Sequence, residues 1–429
     1  MSGERFRPAW WRSRVPGGQK SADVALPRFR GEMFASLRHR NYRLYWIGSL
    51  IANTGDWMDQ IAIGWLMWQL TGSGGYLGIM SFFRAFPILL FTLFGGAMAD
   101  RMERRRLMQI TQTFAMVLAL LLAALVWTGT VAVWHVLAIA ALRGVMLSVN
   151  LPTRQALLSD IVDREHLANA IALNSATMNL TRILGGSLGG ILITLVGTGG
   201  VFFLNGMSFT ILIVTLAMMS IPPMVVRARK NLLASIGEGL SYLRGHEVLR
   251  TLVVLALVPM LLGMPYMTLL PIFADDVLGI GNEGYGILVA FTGIGALCGA
   301  LTVAALRDGH HRGRIMLLVM VVFGAMLVLF SQSTIPVLSF ALLFGVGLGQ
   351  TGYMALNTTL LQTHSSDEMR GRVMSIFFLN RGMVPLGTVA AGFASEWIGV
   401  QVTVGVMGMG VVLLALYAYL RVPRVRALR

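Results

Sequence analysis

Twelve apolar stretches, each about the length of one bilayer crossing, fill this chain, and their connections alternate between basic and free of basic residues. A hydrocarbon core about 30 Å thick takes about 20 helical residues to cross. Runs of that kind lie near 44–69, 76–98, 107–127, 132–152, 169–195, 201–221, 249–274, 284–306, 315–332, 335–360, 373–395 and 401–420. Lipid offers no partner for a free N–H or C=O, so each run must close its own hydrogen bonds as a helix. Of the 34 Lys and Arg residues, all but Arg84, Arg143, Arg182 and Arg381 fall in the two tails or in, or within two residues of, every second connection. The intervening connections, 69–75, 128–131, 197–200, 275–283, 331–334 and 396–401, hold none. The positive-inside rule then places both termini in the cytoplasm of a multi-pass plasma-membrane protein. The alternation also supports the count of twelve, since a missed span would put basic connections on both sides.

Composition agrees. The chain is 56% hydrophobic and 12% charged, against about 25% charged for a soluble domain. That excludes a cytosolic enzyme, a secreted disulfide protein and a disordered regulator. Cys298 is the only cysteine, so an intrachain disulfide or a cysteine-based metal site is excluded. The net charge of +15 lies on one side and reads as topology, with no nucleic-acid partner. The basic tail 1–43 lacks the apolar core of a signal peptide; it is expected to be disordered near anionic headgroups. Neither lysine, Lys20 nor Lys230, follows a glycine, so a Walker A loop and ATP-driven pumping are not expected. The G-x-S-x-G pattern at 185–189 and the G-x-G-x-x-G pattern at 347–352 lie inside apolar runs, without the strand–turn–helix setting their chemistry needs. His310 and His311 read as a solvated pair. A monomer with no cofactor, no metal and no enzymatic activity is expected.

The longest basic connection, 222–248, carries Pro222 and Pro223 and separates two six-span halves, 44–221 and 249–420; the basic tail 421–429 ends the chain. The halves repeat. Gly96-Ala-Met-Ala-Asp100-Arg101-Met-Glu-Arg104-Arg105 follows the second run, and Arg307-Asp308-Gly-His-His-Arg312 follows the eighth. Asp100 and Asp308 are 208 residues apart, as are Arg104 and Arg312. A duplicated unit of this size marks a secondary transporter, with its site between the repeats near the midplane.

These residues resemble the major facilitator superfamily, whose signature loop joins its second and third spans. Arg143-Gly144, Pro152-Thr-Arg154-Gln155, Ala168-Asn169-Ala170, Gly185-Gly-Ser-Leu-Gly189-Gly190 and Arg370-Gly371-Arg372 are similar to its exporter branch, which includes the enterobactin exporter and macrolide efflux proteins. Glu103 stands where the signature usually has Gly, and Gly186 where the branch usually has Pro. The resemblance implies an all-α fold of twelve transmembrane helices in two pseudo-symmetric six-helix bundles. It also implies alternating access and proton-driven export of a small amphipathic molecule, siderophore-like or drug-like. An importer of the same fold, or a non-transporting scaffold or sensor, are the rival readings.

Charge inside hydrocarbon is costly and marks function by default. Asp56 and Asp59 lie mid-way along the first run. At about 100° per residue, Ser49, Asn53, Asp56 and Gln60 share about 60° of arc, a polar stripe turned to the interior. A carboxyl reached in turn from each side can load a proton and release it, so Asp56 and then Asp59 are expected to couple protons, with Arg84 as their partner. A static ion pair that fixes packing is the alternative. Asn53, Gln60, Arg143, Arg182 and Arg381 are candidates for the substrate cavity, although Arg143 and Arg154 are placed near cytoplasmic helix ends, where gating fits better. Gly96, Asp100, Arg101, Arg104, Arg105, Asp308 and Arg312 are expected to hold the cytoplasmic side shut; serving topology alone is the alternative. Gly185, Gly186, Gly189 and Gly190 allow close helix approach. Methionines and the Trp57, Trp65 and Trp68 cluster suit an adaptable apolar cavity; a lipid-facing or core place for most of them is the alternative.

Overall fold

Apolar runs without a bilayer-depth hydrogen-bond partner become helices here, and little else. The computed structural model describes residues 34–163, 165–220, 241–306 and 311–428. The first four spans are Arg40–Thr71, Gly74–Arg101, Arg104–Trp127 and Val133–Ile161. The fifth and sixth form one helical run, Leu167–Ala217, bent at Gly197. Gly197 has φ 71° and ψ 172°, a conformation that a Cβ disfavours, so the turn between the two spans needs no loop. The seventh span, Glu247–Val277, is irregular. It carries π-helical turns at Pro259–Gly263 and Phe273–Val277 on either side of Tyr266–Ile272, because Pro259, Pro265 and Pro271 each lack an N–H. Next come Gly281–Ala304, Arg312–Gln332 and Pro336–His364. The eleventh span is broken into Asp367–Leu379, a 3₁₀ turn at Asn380–Met383 and Val384–Ile398; the twelfth is Val400–Arg421.

Among the described residues, nine helices are long and apolar enough to cross a membrane, and one of them, Asn169–Ala217, is the bent pair. The first span falls outside that set because Asn53, Asp56, Asp59 and Gln60 lower its hydropathy. The eleventh falls outside because its break leaves a longest piece of 15 residues. Together these make the twelve spans read from the sequence. Arg104 opens the third span and Arg312 the ninth, so the repeated loop meets the same helical position in each half. The fourth helix runs further than expected, to Ile161. Arg154 therefore belongs to a span and not to a connection, and Arg143 lies mid-helix and not at a helix end. Residues 1–33 of the tail, 222–240 of the long connection and Asp308 lie outside the described residues.

The halves meet along two seams, the second span on the eleventh and the fifth on the eighth. Both depend on missing Cβ atoms. A Cβ on Gly286 would lie 2.6 Å from the Gly186 carbonyl oxygen and 2.9 Å from the Gly190 Cα; one on Gly78 would lie 2.8 Å from the Thr388 carbonyl oxygen. Gly185 and Gly189 turn the other way, onto Trp57 and Ile61 of the first span. The glycine quartet thus serves one seam within a half and one between halves. Hydrogen bonds crossing between the halves gather at the face away from the basic connections. Trp68 Nε1 donates to Asp275 Oδ2 at 2.8 Å. Ser73 Oγ and the Gly75 N–H, the latter at 3.0 Å, both donate to Glu396 Oε1. Asn282 Nδ2 donates to the Gly190 carbonyl at 2.9 Å and to Thr194 Oγ1 at 2.7 Å. The halves are tied shut at that face.

Candidate functional site

The polar stripe of the first span meets the fourth through Asn53 and, at the stripe's edge, Asp59, and its residues divide between two cavities. Asp59 forms an ion pair with Arg143 Nη1; their side chains are 2% and 12% exposed. Removing two charges from water is expensive, and mutual attraction offsets that cost only when the pair is kept together. Asp59 Oδ1, Arg143 Nε and Arg143 Nη2 are buried with no protein hydrogen-bond partner among the described residues.

Above the pair lies a cavity of about 220 Å³ between the halves. Trp57, Gln60, Arg84, Arg143, Tyr285 and Thr388 are among its lining residues, drawn from the first, second, fourth, eighth and eleventh spans. Its walls are mostly apolar and aromatic, with Arg84 and Arg143 as the cations. On the other side of the same arginines is a smaller pocket of about 80 Å³ inside the first half, lined by Asn53, Asp56, Asn150 and Arg154 as well as Arg84 and Arg143. Arg84 and Arg143 are therefore shared walls: a change of charge in the inner pocket is felt at the cavity between the halves.

Arg154 organises the inner pocket. Its Nε donates to Tyr45 Oη at 2.6 Å and its Nη2 to Asn53 Oδ1 at 3.0 Å, with the guanidinium 5.9 Å from the Tyr45 ring centroid. Asn150 Nδ2 donates to Thr111 Oγ1 at 3.2 Å. Asp56 makes no direct ion pair among the described residues, although Asp59, Arg84, Arg143 and Arg154 all lie within electrostatic range.

Several expectations change here. The direct partner of Asp59 is Arg143, not Arg84, because the stripe turns toward the fourth span; Arg84 stands nearby in the second. Asn53 belongs to the inner pocket and is held by Arg154, whereas Gln60 does line the cavity between the halves. Arg182 is absent from both linings. Its Nη2 contacts Asn179 Oδ1 at 3.3 Å, and it lies beside Tyr266 of the seventh span. The side chain of Arg381, on the turn that breaks the eleventh span, lies outside the described residues. Sequence reasoning missed Tyr285, Thr388 and Asn150, since a single aromatic or hydroxyl in an apolar helix carries no periodic signal. It could have found Arg154 by extending the fourth helix through Pro152.

The loop after the second span also differs from expectation. Arg104 Nη1 bonds both carboxylate oxygens of Asp160 at 2.6 Å and the Ala156 carbonyl at 3.0 Å. Arg105 donates to the Met219 carbonyl at 2.7 Å and to Glu103 at 3.0 Å. All these partners are in the first half, so in this state the two arginines staple the ends of the fourth and sixth spans and do not clamp the halves together. Gly96 is buried within the second span and Arg101 is exposed; the side chain of Asp100 lies outside the described residues.

The chain matches the family model described as transmembrane secretion effector over residues 31–428. It is similar to the staphyloferrin A transporter of Staphylococcus aureus, 25% identical over 380 residues, covering 88% of this chain and 95% of that one. It is similar to the multidrug efflux pump Tap of Mycobacterium tuberculosis, 28% identical over 392 residues, covering 89% and 93%, and to macrolide efflux protein A of Streptococcus pyogenes, 21% identical over 380 residues, covering 85% and 92%. Among solved structures, a bacterial homologue of the human lysosomal transporter Spinster, in an inward-facing and unoccupied conformation, aligns with TM-score 0.70 at 13% identity, covering 89% and 96%.

Proposed function

Because the chain belongs to the transmembrane secretion effector family of major facilitator transporters, and is a transporter and not an enzyme, we propose that it exports a small amphipathic molecule across the plasma membrane in exchange for protons. The two halves, 44–221 and 249–420, rock about the seams, and the chain works as a monomer with both termini cytoplasmic. With the basic face in the cytoplasm, the closure made by Glu396, Asp275 and Asn282 is the outer gate, and the state described above is open inward.

The observation that carries this reading is the shared wall. Asp59 is locked to Arg143, Asp56 sits one turn away in a separate pocket, and Arg84 and Arg143 border both that pocket and the cavity between the halves. A proton arriving at Asp56 or Asp59 removes one negative charge from beside two fixed cations. Arginine stays protonated, so its field is then free to act on what occupies the cavity. A proton there strengthens the hold on an anionic group and weakens it on a cationic or hydrogen-bond-donating one; exchange requires the second sign, so the group of the amphipathic substrate that faces these residues is cationic or a donor. Trp57, Tyr285, Met80 and Met267 supply the apolar contact. The relatives named for staphyloferrin A, for multiple drugs and for macrolides support a substrate of siderophore-like or drug-like kind.

The test is a deletion strain profiled for compounds retained in the cell, with and without an uncoupler. A retained compound is then offered to the purified protein in liposomes under an imposed pH gradient. Movement of that compound against its gradient, with protons flowing the other way, is expected. Transport that ignores the pH gradient overturns the coupling.

A further inference from the structure

His39, Asp163 and His166 form a cluster that transport does not use, on the basic face of the first half. His39 immediately precedes the first span and His166 the fifth, so each occupies an N-cap position, yet neither side chain caps its helix. They turn instead toward each other. His39 Nε2 and His166 Nδ1 are 3.1 Å apart. Asp163 Oδ2 lies 3.8 Å from His39 Nδ1, the ring nitrogen opposite the one that meets His166, so the spacing a single ion would have to draw in is the wider one, a ligand atom from each of the three within 4.8 Å of the others.

We propose that His39, His166 and Asp163 bind a divalent transition ion of the zinc class. Two ligands each about 2.0–2.1 Å from a tetrahedral ion stand about 3.3 Å apart, close to the separation of the two imidazole nitrogens. Two neutral imidazoles and one carboxylate are a borderline donor set suited to zinc, and three protein ligands leave a fourth position open. The carboxylate also offsets the partial positive charge of the two helix N-termini.

The scaffold is fixed on both sides of the histidines. Ser36, one turn before His39, donates through N and Oγ to Asn169 Oδ1 at 3.1 and 2.7 Å. Tyr42, one turn after, donates to the Ala170 carbonyl at 3.1 Å. Residues 36, 39 and 42 thus meet 169, 166 and 170 respectively, so the His–His contact is flanked in the first segment by two further contacts to the start of the fifth span. Ligands held in place by their neighbours lose little freedom on binding. The ion would pin the basic-face end of the first span to that of the fifth.

The test uses the full-length protein purified with a non-histidine tag and titrated with Zn²⁺ against a chromophoric chelator. One ion per chain is expected. His39→Ala and His166→Ala should each weaken binding by about 10-fold or more, on the scale of losses at metal sites. His246→Ala, at the residue before the seventh span, should leave it unchanged. Absence of stoichiometric binding, or binding that survives both alanine variants, overturns the proposal. Should a variant lose its monodisperse peak, diethyl pyrocarbonate labelling of the wild-type chain decides: Zn²⁺ must protect His39 and His166 and leave His246 reactive, and full modification at saturating Zn²⁺ overturns the site.

Discussion

Asp59 of the first span and Arg143 of the fourth are joined in an ion pair almost sealed from solvent, and Arg143 continues from that pair into the walls of two cavities. One guanidinium therefore reports the charge of a carboxyl to whatever fills the space between the halves.

The pair makes a stability prediction. Removing one member of a buried pair leaves the other charged and unpaired, which costs about 3–5 kcal/mol, whereas replacing both with apolar groups of similar size is often neutral. Asp59→Leu and Arg143→Met should each lower the detergent unfolding temperature markedly, and the double variant should recover most of the loss. Additive losses in the double variant would mean that the two side chains are not coupled.

The outer gate makes a second. Glu396 caps the N-terminus of the second span from the eleventh, accepting from Ser73 and from the Gly75 N–H. A hydrogen bond to a charged group contributes about 1.5–3 kcal/mol. Glu396→Ala should raise the outward-open population by about 10-fold or more, and Glu396→Gln, which still accepts, by less. The readout is maleimide labelling from outside at Thr388→Cys, a cavity position, in a Cys298→Ser background that removes the only native thiol. Equal labelling in all three proteins contradicts the gate.

Gly286 tests the seam itself. Leucine there would collide with the Gly186 carbonyl and Gly190, and backbone cannot move aside as a side chain can. Gly286→Leu should block outer closure, abolish transport and leave Thr388→Cys labelled mainly from outside. Wild-type transport in that variant would show that the fifth and eighth spans do not close on each other in the cycle.

The loop arginines give a fourth. Arg104 meets Asp160 inside the first half, so Arg104→Ala should lower thermal stability while leaving the inward–outward labelling ratio of Thr388→Cys unchanged. A shift in that ratio would restore a direct clamping role.

The fold was legible because lipid leaves so few choices. Apolar length gave the spans, and the confinement of arginine to alternate connections gave their count. Asn53, Asp56 and Gln60 were legible as a stripe because helical periodicity puts them on one arc, with Asp59 at its edge. The partner of Asp59 was not, since a stripe has a direction only once its neighbours are packed, and both Arg84 and Arg143 were within reach of the argument. Arg154 was placed near a helix end because the apolar run stops at Pro152, before the polar Thr153-Arg154-Gln155, whereas the fourth helix continues through them to Ile161. Glu396, Asp275 and the His39–His166 contact were invisible for a common reason: each joins positions more than 100 residues apart, and none carries a local motif.

The most direct test of the whole account compares two transport modes of Asp56→Asn in liposomes. Asparagine keeps the shape of the side chain and cannot exchange a proton. Counterflow, which needs only the rocking of a loaded carrier, should continue near the wild-type rate, while accumulation driven by a pH gradient should vanish. Wild-type accumulation in Asp56→Asn would contradict the claim that this pocket couples protons to export.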